Sequence, residues 1–419
     1  MKESNDYKKF IKCFGITAGI LLFLSAALVI VIDPFFHYHN VWFGLSPVQV
    51  SAEYQVNGAL EHLDYDSILL GSSVTANINH SILDDALGTN TIKAAGAGAR
   101  PSLLYYYMQK GFANQEINTI YFGLDYYFLT DEFEEDSKQT QILYLRDKNP
   151  FNDVNYLWNQ DVIFGKIPNM IAQSLLHDYD DGMAYNFAQF STYGIEEALA
   201  SHQPDMQAVE QNEPVECSLS DLYAKYYAQD FDSNAIGLNA QRENDGIRDF
   251  SAHAFGSNAN EDWMIPQVEE NVIINISRIA EVVEAHPETE FKFFFPATGI
   301  LWWDRAYQNG DIEILLAQMK YAVAVLSSYE NVTMYMGVSN RADCIMDLDQ
   351  YCDLMHASYE INSETAYAIA NNETIVTMDN IDEQQDVIRE LIYSFEERIQ
   401  TEGNYNCLYE YTGMFHSAW

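Results

Sequence analysis

The sequence predicts an α/β protein, a three-layer α/β/α sandwich built on a mostly parallel five-stranded sheet, with a helical insertion and one N-terminal transmembrane helix. Three observations carry that expectation. Short apolar runs recur along the chain, each stopping in a small or polar cluster: Ile68-Leu69-Leu70 into Gly71-Ser72-Ser73, Thr91–Ala95 into Gly96-Ala97-Gly98, and Thr119–Gly123 into Leu124-Asp125. Buried parallel strands read this way, as brief continuous apolar runs. Helical patterns separate the runs, the alternation of βαβ units joined by right-handed crossovers. Finally, Phe14–Ile32 is nineteen residues without a charge, about 28 Å as a helix, enough to cross a bilayer.

At the N-terminus, Lys2, Lys8, Lys9 and Lys12 precede the apolar run and Asp33-Pro34 closes it. The positive-inside rule places residues 1–36 as a cytoplasmic tail and single-pass membrane anchor, with the remainder outside. A cleaved signal peptide is the rival. Ser25-Ala26-Ala27 has the small residues for cleavage, but it lies inside the apolar run, which is longer than an ordinary signal core. Phe35, Phe36, Tyr38, Trp42 and Phe43 then fall where an interfacial aromatic belt belongs.

The strand at 65–72 is followed by a short helix, His80–Leu87, with Asn79 as its cap and Gly88 past its end. Pro101 and Ser102 open a helix through Phe112. From Thr130 the alternation breaks into an acidic run and helical patches such as Val162–Leu176 and Leu219–Tyr227. Residues 130–262 therefore read as an inserted helical segment, a lid or acceptor platform over the sheet edge. Tyr126, Tyr127, Trp158, Trp302 and Trp303 are available there to stack on sugar rings, although aromatic residues so spaced more often belong to a core. Residues 37–129 and 263–419 form the α/β domain proper. In its second half a helix over Val268–Ala285 precedes a strand at Glu290–Phe295. Trp302 and Trp303 sit in a loop, and a helix over Ile312–Leu326 leads to a fifth strand at Val332–Met336. Helices from about Tyr359 to Asn371 and over Asp382–Ile399 close the chain. The expected strand order is 2-1-3-4-5, a flavodoxin-like arrangement.

Composition narrows function. Sixty-two acidic against 21 basic residues give a net charge of −41, a field that repels nucleic-acid phosphates. An apolar content of 48% supports a sizeable core. The five cysteines contain no CxxC pair, and neither a metal nor a cofactor is expected. Cys344–Cys352 or Cys217–Cys407 bridges remain open choices in an oxidising compartment. His37-Tyr38-His39 suits interfacial packing better than metal binding. His177-Asp178-Tyr179-Asp180-Asp181-Gly182 departs from a calcium loop in its glycine position and its lack of a glutamate at the twelfth place.

Parallel strands put their carboxyl ends on one edge, where open α/β sheets hold ligands. Ser73, the Gly96/Gly98 turn and Asp125 share that edge. A serine nucleophile needs a base, and His356 is the one histidine with an acid three residues before it, Asp353. That spacing lets one short turn carry a base and the carboxylate that orients it. The Ser73 amide and an amide of the glycine turn are candidate oxyanion donors. The blander reading is an anchored globular domain in which Ser73 and His356 lie apart.

This order of blocks resembles the SGNH/GDSL hydrolase superfamily over residues 60–128 and 265–400. More narrowly, DPFFHYH, GSSVT, GLDYYFL, NPFNDVNYLWNQDVIF, GILWWD and DLMHAS resemble a membrane-anchored, SGNH-like branch of bacterial surface proteins, and the D-alanine transfer proteins of teichoic-acid operons. The resemblance implies Ser73 as nucleophile, His356 as base and Asp353 as its orienting partner. It implies Gly96, Gly98 and Asp125 in oxyanion or substrate binding. Ser72 stands where GDSL enzymes have Asp, and Asp125 stands where the superfamily has an Asn donor; an ionised carboxylate cannot donate. The implied function is an extracytoplasmic serine esterase or O-acyltransferase acting on a cell-surface polysaccharide or teichoic acid. The alternative is a non-catalytic surface protein that binds glycan or a membrane-embedded O-acyltransferase.

Overall fold

The computed structural model describes residues 2–133, 140–147, 149–177, 179–188, 191–194, 197–198, 268–309 and 311–402. Five parallel strands form one sheet in the order β2-β1-β3-β4-β5. They are β1 (Ser67–Gly71), β2 (Thr91–Ala95), β3 (Thr119–Gly123), β4 (Glu290–Phe294) and β5 (Val332–Tyr335). Every residue of β1, β2 and β3 is buried, which explains why these strands do not alternate apolar with polar residues; Lys93 is the one charged residue among them. Ile68, Leu70, Ile120, Phe122, Phe291 and Phe293 belong to the larger core cluster. Their neighbours Leu69, Tyr121 and Phe294 pack with Ile78, Leu83 and Ile369 instead, because successive side chains point to opposite faces.

The helices are α1 (Lys2–Ile32), α2 (Ala52–His62), α3 (Ser73–Ala76), α4 (Ser81–Leu87), α5 (Pro101–Asn114), α6 (Tyr126–Thr130), α7 (Val154–Leu157) and α8 (Ile167–Leu176). A π turn, Val162–Lys166, runs directly into α8. After the segment outside the description come α9 (Val268–Ala285), α10 (Ile300–Asn309), α11 (Ile312–Leu326), α12 (Ala342–Ile345), α13 (Tyr359–Ala370) and α14 (Ile381–Glu402). The glycine expected to end α4 does so: Gly88 is its C-cap at φ +72°. Asn79 accepts from the Ser81 amide, while His80 holds the N-cap position.

Helix α1 is long and apolar enough to cross a membrane: an 18-residue window within Tyr7–Ile32 reaches a mean hydropathy of 2.6. It ends in a fixed corner. Asp33 takes φ +46°, and its carboxylate accepts from the His37, Tyr38 and His39 amides and from the Tyr156 hydroxyl. That corner corrects the expected aromatic belt. Phe35 stacks on Tyr156 and Tyr54, and Phe36 is fully buried in the main core; Trp42 and Phe43 are the exposed pair. His39 stacks on Trp42, and its two ring nitrogens lie against the Asn40 and Ile30 carbonyls.

Two further expectations change. Trp302 and Trp303 are on helix α10, not in a loop. Trp303 is fully buried, and both rings pack on Tyr126. Tyr127 and Trp158 are the two residues of the proposed sugar-stacking set left near half exposed, and the Trp158 indole N–H is bonded to α1. Cys344 and Cys352 are both free thiols, so no bridge joins them; Cys217, Cys407 and the expected Leu219–Tyr227 helix lie outside the described residues. Within the expected insertion, α7 and the π turn pack on α1. Residues 185–188 and 191–194 instead reach the carboxyl edge of the sheet, where the Gly194 amide donates to the Tyr351 carbonyl.

Candidate active site

Strand β1 ends at Gly71, and the chain turns through Ser72 straight into α3, whose first residue is Ser73. Thr75 packs back over the strand ends. A Cβ at Gly71 or at Gly123 of β3 would collide with the Thr75 side chain, so glycine at those two places lets α3 sit directly on the sheet edge. Ser73 is thereby held at the rim. Its amide and that of Val74 donate to no backbone acceptor among the described residues, as expected in the first turn of a helix.

His356 arrives on the loop between β5 and α13. An antiparallel bridge between Tyr351 and Ala357 pinches this loop shut. The Ser358 amide donates to the Gln350 carbonyl at 2.7 Å, and Ser358 then caps α13. Inside the pinch, Asp353 Oδ1 accepts from the Met355 and His356 amides at 2.9 and 2.7 Å. Its Oδ2 lies 2.5 Å from His356 Nδ1, and His356 Nε2 lies 2.7 Å from Ser73 Oγ. Residues 283 positions apart thus meet at the separation a nucleophile and its base require.

The chemistry fixes the tautomer. Burial pushes the Asp353 carboxyl up, but the His356 hydrogen bond and charge, with the two amides, outweigh it and hold the group below the ordinary carboxylate value. An ionised Asp353 only accepts, so Nδ1 carries the proton. Nε2 is left as an acceptor for the Ser73 hydroxyl. The three groups form one directed chain: Ser73 O–H to His356, and His356 N–H to Asp353.

The other expected residues are placed differently. The Gly96 amide donates to the Gly71 carbonyl at 3.3 Å, extending the β1–β2 ladder, so it is not a free donor. Gly98, at φ +62°, is exposed in the same turn. Asp125 is 1% exposed and works as a helix cap, with Oδ1 accepting from the Phe128 amide that starts α6. Its Oδ2 is buried without a hydrogen-bond partner among the described residues. Burial raises its pKa, partly opposed by the Ser72 hydroxyl and the Phe128 and Tyr127 amides.

Beside Ser73 opens a cavity of about 590 Å³. Val56, Ala76, Leu103, Tyr107 and Phe187 give it a largely apolar wall, and Gly96 lies on its floor. Such a size and lining suit a small organic group. Phe187 also meets the His356 ring edge-on, centroids 5.4 Å apart, so one side chain touches both the imidazole and the cavity.

Residues absent from the sequence reading hold this arrangement. Asn77, buried at the end of α3, donates to the Ala357 carbonyl and accepts from the Phe187 and Ala188 amides. It ties the Ser73 helix, the His356 loop and the Phe187 segment at one point. Its position four residues after Ser73, on the same helical face, was the one available signal. Lys93 on β2 is fully buried and donates to the Ala76 and Gly182 carbonyls. Burial lowers its pKa to about 7, against the opposing pull of Asp181 and Asp180. Among the described residues no group of three or more His, Cys, Asp or Glu is placed to hold a metal. Compared with protein-family models, curated proteins and solved structures, the chain matches none.

Proposed function

We propose that this chain is an extracytoplasmic serine esterase or O-acyltransferase that moves acyl groups on a cell-surface polysaccharide or teichoic acid through an acyl-Ser73 intermediate. The observation that carries the reading is the hydrogen-bonded Ser73–His356–Asp353 chain opening on an apolar cavity. In the proposed reaction Ser73 Oγ attacks the acyl carbonyl while its proton passes to His356 Nε2. Asp353 stabilises the imidazolium. The carbonyl oxygen turns toward the unpaired amide of Ser73. Collapse expels the alcohol, which takes the proton from Nε2 and leaves the acyl group on Ser73. Water, or a sugar hydroxyl, then repeats the sequence in reverse, giving hydrolysis or transfer. The apolar wall suits the acyl chain, and the exposed edge suits the glycopolymer.

The same reading takes the fold as a flavodoxin-like α/β/α sandwich of the SGNH type, anchored by α1 with its lysines inside. The part of residues 130–262 that is not packed on α1 acts as a lid or acceptor platform, and a membrane O-acyltransferase is a natural donor partner. One observation favours the non-catalytic alternative: Asp125, standing in the place of the asparagine donor, offers no N–H to an oxyanion. A serine-directed fluorophosphonate separates the two readings. The full chain in detergent is expected to label at Ser73 and to hydrolyse small acyl esters. Ser73→Ala loses both, and adding His356→Ala costs little more, since residues acting as one unit are not additive. Neither labelling nor hydrolysis by the folded protein would leave the binding role.

A further inference from the structure

Helix α1 does not leave the domain alone on the membrane. Trp158 Nε1 donates to the carbonyl of Leu22 at 3.0 Å, ten residues, or about 15 Å along the axis, inside the end of α1 at Ile32. Val29 of α1 is fully buried against Tyr156, Val162 and Ile167. The segment 151–176 therefore runs alongside the last third of the apolar helix. It also turns large apolar side chains outward: Phe151 is 88% exposed, Phe164 76%, Leu175 74% and Leu176 73%, with Val154 and Trp158 near half. Soluble surfaces rarely gather so many, and here they are continuous with the exposed apolar flank of α1, Leu21 to Leu28.

We infer that residues 151–176 are a second membrane contact, an interfacial wedge whose exposed apolar side chains enter the acyl-chain boundary of the leaflet beside the domain. This rests on reading α1 as membrane-spanning. The segment sets its own depth. Asp161 is exposed and pairs with Lys166 at 3.7 Å, and Asn155 and Gln160 are also exposed, groups that belong at headgroup level. Phe164, Leu175 and Leu176 are the exposed apolar side chains that would enter the acyl-chain boundary, to about the 5–10 Å depth of an interfacial helix. Trp158 lies deeper, beside α1, with its N–H satisfied by the Leu22 carbonyl.

The wedge fixes where the cavity opens. Lys166 Nζ donates to Ser51 Oγ at 3.1 Å, and Tyr54 stacks on Phe35, which stacks on Tyr156. Ser51 and Tyr54 both line the cavity beside Ser73. The membrane contact and the rim of the site are thus joined through one set of packed rings, and the cavity opens close to the bilayer surface, within reach of an acyl group carried on a lipid.

Photo-crosslinking of the full chain in its membrane tests this. The photoreactive residue p-benzoylphenylalanine replaces Leu22, Phe164 or, as an aqueous control, the exposed Tyr367 of α13, and phospholipid adducts are read by mass spectrometry. Phe164 is too exposed for its replacement to disturb folding. The expected result is lipid adduct at 22 and at 164 in comparable yield, and none at 367. Adduct at 22 without adduct at 164 would overturn the wedge while leaving the span intact. Adduct at neither would remove the span and the wedge together.

Discussion

Asp125 is a buried acid that caps α6 beside the strand ends, and its surroundings define what a substitution there will do. Asp125→Asn keeps the oxygen that caps α6 and puts an N–H₂ where the unpartnered Oδ2 now lies. Because burial raises this carboxyl above its unfolded value, its contribution to stability is present at low pH and is lost as pH rises through the folded value. Asn does not titrate. The variant is therefore expected to gain stability relative to the natural chain at neutral pH more than at acid pH in urea denaturation, and to raise hydrolysis of small esters. A fall in hydrolysis would make Asp125 a substrate ligand. Lys93 has the opposite sign. Its pKa falls from the ordinary lysine value to about 7, so between about 7 and 10.4 the unfolded chain holds a proton that the folded one lacks, and stability rises with pH. Below about 7 the full cost of burying the charge is felt. Lys93→Met removes that rise, and the difference between the two chains' stability–pH curves is the measurement; parallel curves would mean that Lys93 keeps its ordinary pKa in the folded protein.

At the scale of elements, α3 is positioned by contacts instead of by its own length, since four residues make no stable helix alone. Gly123→Ala forces a methyl group into Thr75, so it should shift Ser73 and depress ester hydrolysis even where the protein stays folded. Asn77→Ala removes a buried side chain that satisfies two amides and one carbonyl. A loss of about 1–3 kcal/mol in stability is expected, with an activity loss on the order of a hundredfold as Ser73 and His356 drift apart. Unchanged fluorophosphonate labelling of Asn77→Ala would sink that coupling role. The same contrast between local and long-range causes decides what the sequence revealed. The five strands were legible because β1 to β3 are buried along their length and β4 and β5 at their carboxyl ends, and Asp353–His356 because three residues' spacing is a local geometry. Helix α10 was not legible: Pro296 and Gly299 announce a loop, and Trp302 and Trp303 are ordinary helix formers at best. Their helix exists because both rings pack on Tyr126, nearly 180 residues earlier in the chain. The cavity was hidden for the same reason, since α2, the Gly96 turn, α5 and Phe187 meet only in three dimensions.

For the molecule as a whole, charge and anchoring act together. A net charge of −41 gives the chain a field that repels anionic headgroups, so contact with a membrane has to come from apolar surface and from α1. The corner at Asp33 makes that attachment rigid: four hydrogen bonds lock the chain just beyond Ile32, one of them from Tyr156 within the segment packed on α1. A rigid corner means that the orientation of α1 sets the orientation of the whole domain. Lys2, Lys8, Lys9 and Lys12 all precede the apolar run, whereas Asp33 follows it, a lysine bias that favours a cytoplasmic N-terminus for the proposed span. Protease added to intact cells is therefore expected to remove the domain and leave a short N-terminal epitope protected until lysis. Exchanging the four lysines for glutamine should blur the outcome, with part of the population protected at the domain and cut at the epitope. A domain that resists protease on intact cells and becomes sensitive on lysis, in the natural chain, would reverse the topology and take the surface substrates with it.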